Sequence, residues 1–329
     1  MKTAQIIGKA AVLAFGLLVL TAVDGLCQSA SRNREAVRAF ERGETSYKKG
    51  ALKEAIAEYT KAIELEPKWA EAFIMRGYVH GWNDDSDLAL QDYEAAAALD
   101  FKYQDFVQGY RYSKDGDHTK AIETFDRVIR NKINLMGAYN LRGNSYSNIG
   151  ELEKAIADFT EAIRLNPEFY GNYINRANEY NGMEQYDRAI ADCDRAIRLY
   201  PDSFYGHAFR GGAYLGKNNT ERALADVNRA IQLNPDKRGN GAFVPYHIRA
   251  VIYRQKGDFF RAIADCSQVI QLFPDGVTIY IDRGYCYLQT GDYDKATVDI
   301  DTALRLDPGN EVALYLRGEI RARRAAQGN

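Results

Sequence analysis

The sequence predicts an all-α chain: a solenoid of eight helix-turn-helix units followed by a capping helix. Three observations carry this. Similar stretches recur at 36–69, 70–101, 102–135, 136–169, 170–203, 204–237, 243–276 and 277–310. Each carries a small residue in its first half (Gly43, Gly77, Gly109, Gly143, Ala177, Gly211, Ala250, Gly284) and an alanine opening its second half (Ala55, Ala89, Ala121, Ala155, Ala189, Ala223, Ala262, Ala296). Proline closes six of the eight: Pro67, Pro167, Pro201, Pro235, Pro274 and Pro308. Small and large apolar residues alternate at helical spacing, so each unit reads as two amphipathic helices. One unit cannot bury both of its faces, so the units must stack.

The stretch 136–169 is the clearest copy. Tyr139, Tyr146, Phe159 and Leu165 are its large residues, set against Gly143, Ala155 and Ala162. Gly150 supplies the left-handed conformation that ends the first helix. Pro167 follows the second helix, where a missing N–H costs little.

Residues 1–29 read as a secretory signal peptide. Lys2 and Lys9 precede or border the apolar run 10–23, which is short for a membrane span. Cleavage after Cys27 leaves Gly25 and Cys27 at the −3 and −1 sites. Lipidation of Cys27 (Leu26 fits such a site poorly) and an uncleaved anchor are the alternatives. All three take the repeats out of the cytoplasm. Residues 30–35 are a polar lead-in.

Repeat two has an aspartate-rich turn, Asp84, Asp85 and Asp87 around Ser86. Its spacing does not match a calcium loop, and helix capping is the reading. Repeat three lacks the closing proline, with Ile133 in its place. Residues 238–242 insert two glycines between repeats six and seven and mark a flexible linker where the stack could bend. Residues 311–324 read as a capping first helix with Arg317, Arg321, Arg323 and Arg324, and 325–329 as a frayed tail.

The unit resembles the tetratricopeptide repeat (TPR), whose pattern is W-x2-L-G-x2-Y, then A-x3-F, then P. The resemblance covers residues 36–310. It implies a right-handed superhelix whose first helices line a concave groove, with slots 2, 5, 9, 12 and 13 of each repeat facing into it. One departure is systematic. Slot seven, usually leucine, is Arg42, Arg76, Arg142, Arg176, Arg210, Arg249 and Arg283, with Arg317 in the cap. Slot 23 is acidic in the same seven repeats: Glu58, Asp92, Asp158, Asp192, Asp226, Asp265 and Asp299. Repeat three lacks both, with Gln108 and Thr124. Bidentate arginine–carboxylate bridges between first and second helices follow. Joint loss favours pairing within a repeat. Arg317, without a second helix of its own, favours pairing across repeats to Asp299.

Composition excludes several functions. Net charge is −2 with 27% charged residues, and the basic excess that a nucleic-acid binder would show is not visible in the totals. His80, His118, His207 and His247 stand at no metal-ligand spacing. No nucleophile, phosphate-loop or zinc-protease motif occurs, and no carboxylate pair stands apart for acid/base work. The expectation is a non-enzyme with no cofactor and no metal. Cys193, Cys266 and Cys286 read as small core residues, with a Cys266–Cys286 bridge as the alternative.

The groove slots divide into zones. The first three repeats present aromatics, among them Tyr78, Trp82, Phe106 and Tyr110. Repeats four and five present amides, Asn140, Asn144, Asn148, Asn178 and Asn181. The last three mix His247, Arg254, Tyr285 and Gln289. An amide both donates to and accepts from a peptide backbone, and the resemblance implies rows of asparagine holding an extended peptide. The carboxylate clamp known in the family requires Lys and Arg in the inner slots and is disfavoured, since lysines are absent there except Lys48 and Lys114. The expected function is a protein–protein interaction scaffold, exported, periplasmic or in the cell envelope if bacterial and secreted otherwise. Its partner is a protein or peptide, and the membrane is reached only through the signal or a lipid anchor. The alternative is a structural subunit of an envelope assembly, docking by its ends or convex face.

Overall fold

The structure, a computed structural model, describes residues 32–83, 85–234 and 241–327. The signal-peptide reading of 1–29 with Cys27, the start of the polar lead-in, Asp84, Pro235 and the linker residues 238–240 lie outside the described residues.

Among the described residues there are seventeen α-helices, one 3-10 turn at Phe101–Tyr103 and no strand. In order they are α1 (Arg34–Lys48), α2 (Leu52–Leu65), α3 (Ala70–Trp82), α4 (Ser86–Leu99), α5 (Gln104–Lys114) and α6 (His118–Arg130). Then come α7 (Leu135–Asn148), α8 (Leu152–Leu165), α9 (Tyr170–Gly182), α10 (Tyr186–Leu199), α11 (Phe204–Gly216) and α12 (Thr220–Leu233). The last five are α13 (Val244–Gln255), α14 (Phe259–Leu272), α15 (Val277–Gln289), α16 (Tyr293–Leu306) and α17 (Glu311–Gln327). The chain divides into two compact units, one ending at Val107 and one beginning at Gln108. In the first, Ala36, Ala39, Ala62, Ile63, Trp69 and Ala72 form a core at the start of the array. In the second, from α7 onward, each helix packs on its neighbours in sequence, and each first helix also touches the next first helix.

Two kinds of turn join the helices. After α7 the chain passes through Gly150 at φ +79°, and Glu151 N–H donates to the Tyr146 carbonyl at 3.0 Å. This left-handed closure is the one glycine favours. Glu184 and Asn218 hold the equivalent positions at φ 58° without that freedom. Many second helices open on a side-chain cap. Asp117, Asn219, Asp258 and Asp292 each accept from the backbone N–H three residues on, at 3.2 Å. The Asp85 carboxylate does not cap α4 but accepts from the Asn83 amide at 2.6 Å. Repeat three closes without proline by placing Lys132 and Asn134 at positive φ (56° and 41°). The terminal helix runs three residues past Arg324, to Gln327.

The packing rule between paired helices is a match of volumes sixteen residues apart. A Cβ on Gly43, Gly143, Gly211 or Gly284 would lie 2.8–2.9 Å from the side chain of Tyr59, Phe159, Val227 or Ile300. Only hydrogen fits there, because the opposing side chain fills the gap to van der Waals contact. Where the first helix carries alanine, the opposing residue shrinks to cysteine. Ala177 shares a core cluster with Cys193, and Ala250 shares one with Cys266. All three described cysteines are buried free thiols, so Cys266 and Cys286 form no bridge.

The arginine row resolves into a repeating three-point contact. Arg76, Arg142, Arg176, Arg210, Arg249 and Arg283 each direct Nε and one terminal nitrogen at both oxygens of the aspartate sixteen residues later, at 2.6–2.9 Å. The other terminal nitrogen reaches back to the second helix of the preceding repeat. Arg76 and Arg176 donate to the Thr60 and Thr160 hydroxyls at 3.0 Å. Arg142 and Arg210 bond Asp126 and Asp194 at 2.5 and 2.6 Å. Arg249 and Arg283 bond Asn228 and Ser267 at 2.8 and 3.0 Å. The carboxylate pairing is therefore within a repeat, and the same guanidinium also ties adjacent repeats. Asp299 is taken by Arg283, not by Arg317. The Arg249–Asn228 bond is made across the 238–242 insertion, so the extra residues lengthen the connection without breaking the contact.

Removing an arginine strands a buried carboxylate. Asp158 has a side chain only 6% exposed. We expect Arg142→Ala to lower unfolding free energy by about 3 kcal/mol. Arg42→Ala, at an exposed monodentate contact to Glu58, should cost far less. Urea titration of both variants checks this, and equal losses would contradict it.

Candidate functional site

The first helices stand side by side, so a side chain slightly off the groove axis meets the next first helix instead of solvent. This sorts the predicted site residues. In the first unit, Tyr78 is 3% exposed with its ring edge-on to Tyr47 at 5.9 Å, and Phe106 is fully buried, edge-on to Tyr93 at 5.1 Å. Burial pushes the Tyr78 hydroxyl well above the usual phenol range, and hydrogen bonds with Trp82 and Tyr47 only partly offset it. These two rings are core, not open pockets for a ligand side chain. Trp82 is half-buried at the end of α3. Tyr110, on α5 in the second unit, is also half-buried.

The amides divide in the same way. Asn140 is 2% exposed and donates to Asn172 Oδ1 at 2.9 Å, joining α7 to α9. It is a structural cross-link and is not free to hold a peptide backbone. Asn144 is half-buried and accepts from Asn175 at 3.4 Å. Asn181 is half-buried and donates to the Phe209 carbonyl at 2.9 Å, joining α9 to α11. Asn178 is exposed and donates to Glu179 at 3.1 Å, and the same carboxylate accepts from Ser147 of α7 at 2.9 Å. Asn148 is exposed and donates to the Asn144 carbonyl at 2.8 Å. Ser113 and Ser145 continue this row at 2.9 Å between α5 and α7.

The polar row between first helices was not read from the sequence as structure. Its signal was there: Asn140 and Asn172, and Ser147 and Glu179, stand 32 residues apart, just short of one repeat. Within the row, Asn172 Nδ2 and Asn181 Oδ1 are buried with no partner among the described residues. A buried amide atom left unpaired costs about 1–3 kcal/mol.

Toward the C-terminal end of the second unit, Arg254 and His247 of α13 face Asp282 of α15 at 3.6 and 3.7 Å. The Arg254 guanidinium also lies 5.7 Å from the centre of the Tyr285 ring. Burial, with Asp282 nearby, pushes the neighbouring Cys286 thiol up to about 11. Burial also raises Cys193 and Cys266, so all three thiols are poor nucleophiles. At the ladder, burial pushes Asp226 up, but bonds from Arg210 and His207 outweigh it and hold the carboxyl below its usual range. Among the described residues no group of His, Cys, Asp and Glu is placed to hold a metal ion, and no helix is long and apolar enough to cross a membrane.

Comparison with known proteins agrees with this geometry. Tetratricopeptide-repeat models match residues 43–82, 137–169, 173–203 and 250–323, together more than half of the chain. The chain belongs to the tetratricopeptide repeat family. It is 31% identical over 91 residues to the Hsp70-Hsp90 organizing protein 3 of Arabidopsis thaliana, a match over 27% of this chain and 16% of that protein. Among solved structures it is similar to the Cut9-Hcn1 APC/C hetero-tetramer, with a TM-score of 0.74 at 15% identity. That match covers 85% of this chain and 54% of the other, so this chain spans about half the length of its structural neighbour. The yeast Tom70 structure matches with a TM-score of 0.52 at 20% identity, over 91% of this chain and 66% of that one.

Proposed function

We propose that the chain is a non-catalytic scaffold that binds a peptide or protein segment along the first-helix face of its second unit. One observation carries the reading. Asn144 and Asn148 on α7, and Asn178 on α9, present solvent-accessible amides on consecutive first helices already locked together by side-chain bonds. Amides fixed in this way meet a peptide backbone with little further ordering cost. Tyr110 flanks the row on the preceding first helix, α5, and offers apolar contact. Similarity to a plant protein named as an organizer of Hsp70 and Hsp90 supports a role in bringing proteins together. We also propose that the repeats work outside the cytoplasm, in the periplasm or cell envelope in a bacterial setting. The support is the apolar run 10–23 bordered by Lys2 and Lys9.

Three outcomes are expected. A partner captured by the intact chain should bind the Asn148→Ala/Asn178→Ala variant at least about tenfold more weakly, with no loss of fold, since both side chains are exposed. Asn140→Ala should instead lower stability by about 1–3 kcal/mol, because Asn172 then loses its acceptor bond as well. Equal capture by the double variant would move binding off this face. N-terminal sequencing of the chain from its source should find Gln28 first in a cell-envelope or secreted fraction, and an intact Met1 in the cytoplasm would contradict export.

A further inference from the structure

The last helix repeats the design of every other first helix, but no second helix lies against it among the described residues. On α15, Tyr280, Arg283, Gly284 and Tyr287 face α16. One repeat later the same slots hold Leu314, Arg317, Gly318 and Arg321 on α17. The opposite face of α17 is already used: Ala313, Leu316 and Ile320 are buried against Ile300, Ala303 and Leu304.

Two features of the open face are unfilled versions of contacts made elsewhere. A Cβ on Gly284 would lie 2.9 Å from the Ile300 side chain, whereas a Cβ on Gly318 meets nothing within 4 Å. The slot that receives a large apolar side chain elsewhere is vacant here, beside Leu314 at 41% exposure. The arginine of this slot grips a carboxylate in seven repeats, but Arg317 has no bond or ion pair among the described residues. Arg321, one turn on along the same face, shares this state, whereas the next two arginines are paired. Arg323 bridges Glu319 at 2.8 Å and Arg324 bridges Asp294 at 2.6 Å.

We propose that α17 docks an amphipathic helix of a partner protein, which completes a ninth repeat in trans. The chain itself defines the chemistry of that helix. Every second helix gripped by an arginine fork reads alanine, a carboxylate three residues on, a residue matched in size to the facing glycine or alanine, and a small or β-branched residue three further. AIADFTEA at 155–162, ALADVNRA at 223–230 and ATVDIDTA at 296–303 are examples. The vacant glycine takes the large apolar residue, and Arg317 takes the carboxylate that precedes it. The pairing of open volume with an unpaired cation selects such a helix over a merely apolar one. This site is separate from the amide face and does not depend on it.

The probe is a helix-stabilised, fluorescent peptide with the sequence of 152–165, LEKAIADFTEAIRL, titrated against the full chain by anisotropy. Saturable binding is expected. It should be abolished by Gly318→Leu, a change the fold tolerates because the site is open. Arg317→Ala should weaken it about tenfold. Reversing the peptide's aspartate to arginine should do the same, and pairing that peptide with Arg317→Asp should restore binding. No binding at about 1 mM peptide, or equal binding by the Gly318→Leu chain, would overturn the proposal. Self-association that Gly318→Leu abolishes would also overturn it, since the occupant would then be a second copy of the chain.

Discussion

The arrangement depends on what one guanidinium can do with its three faces of N–H groups. Two of its nitrogens close on both oxygens of a buried aspartate and fix the second helix of a repeat against the first. The third bonds the preceding second helix and fixes the next repeat against the last. Lysine cannot make this contact, because its ammonium offers a point charge without a fork. The family's usual leucine at this slot would pack but would not set a register. Buried ion pairs add little net stability once desolvation is counted. Their value in this chain is directional: the pair is satisfied at one helix offset and stranded at any other.

A second constraint works on volume. Gly143 faces Phe159, Gly284 faces Ile300, and Ala177 shares its core with Cys193. The large side chain of one helix sets how small its partner must be, so the sixteen-residue spacing recurs in both the polar and the apolar contacts. This explains the two cysteines better than redox chemistry does. They fill a slot that alanine on the facing helix has narrowed.

Much of the fold was legible in the sequence, because a repeat states its own rule several times. The arginine–carboxylate pairing could be read from its joint loss at Gln108 and Thr124, and the turn at Gly150 from its glycine. The cross-repeat bond was harder to see. Its acceptor varies among threonine, aspartate, asparagine and serine (Thr160, Asp194, Asn228, Ser267), so no single residue type marks it. The candidate site was read less well. Slot numbers place a residue on the groove side but do not say how closely adjacent first helices approach. Tyr78 and Asn140 are consumed by that approach and Phe106 by packing on Tyr93 of the preceding second helix, while Asn178, one slot type with Asn144, stays in water. Burial across a helix–helix seam depends on the size of the neighbour, which a single repeat does not reveal.

The measurement that bears most directly on this account is a double-mutant cycle between neighbouring repeats, with Arg210→Ala and Asp194→Ala read by urea unfolding. These residues meet at 2.6 Å across the repeat boundary, while Arg210 keeps its fork on Asp226. The account predicts a favourable coupling of about 1 kcal/mol between the two positions. Losses that simply add, to within about 0.3 kcal/mol, would contradict it and reduce the arginine row to a set of contacts internal to each repeat.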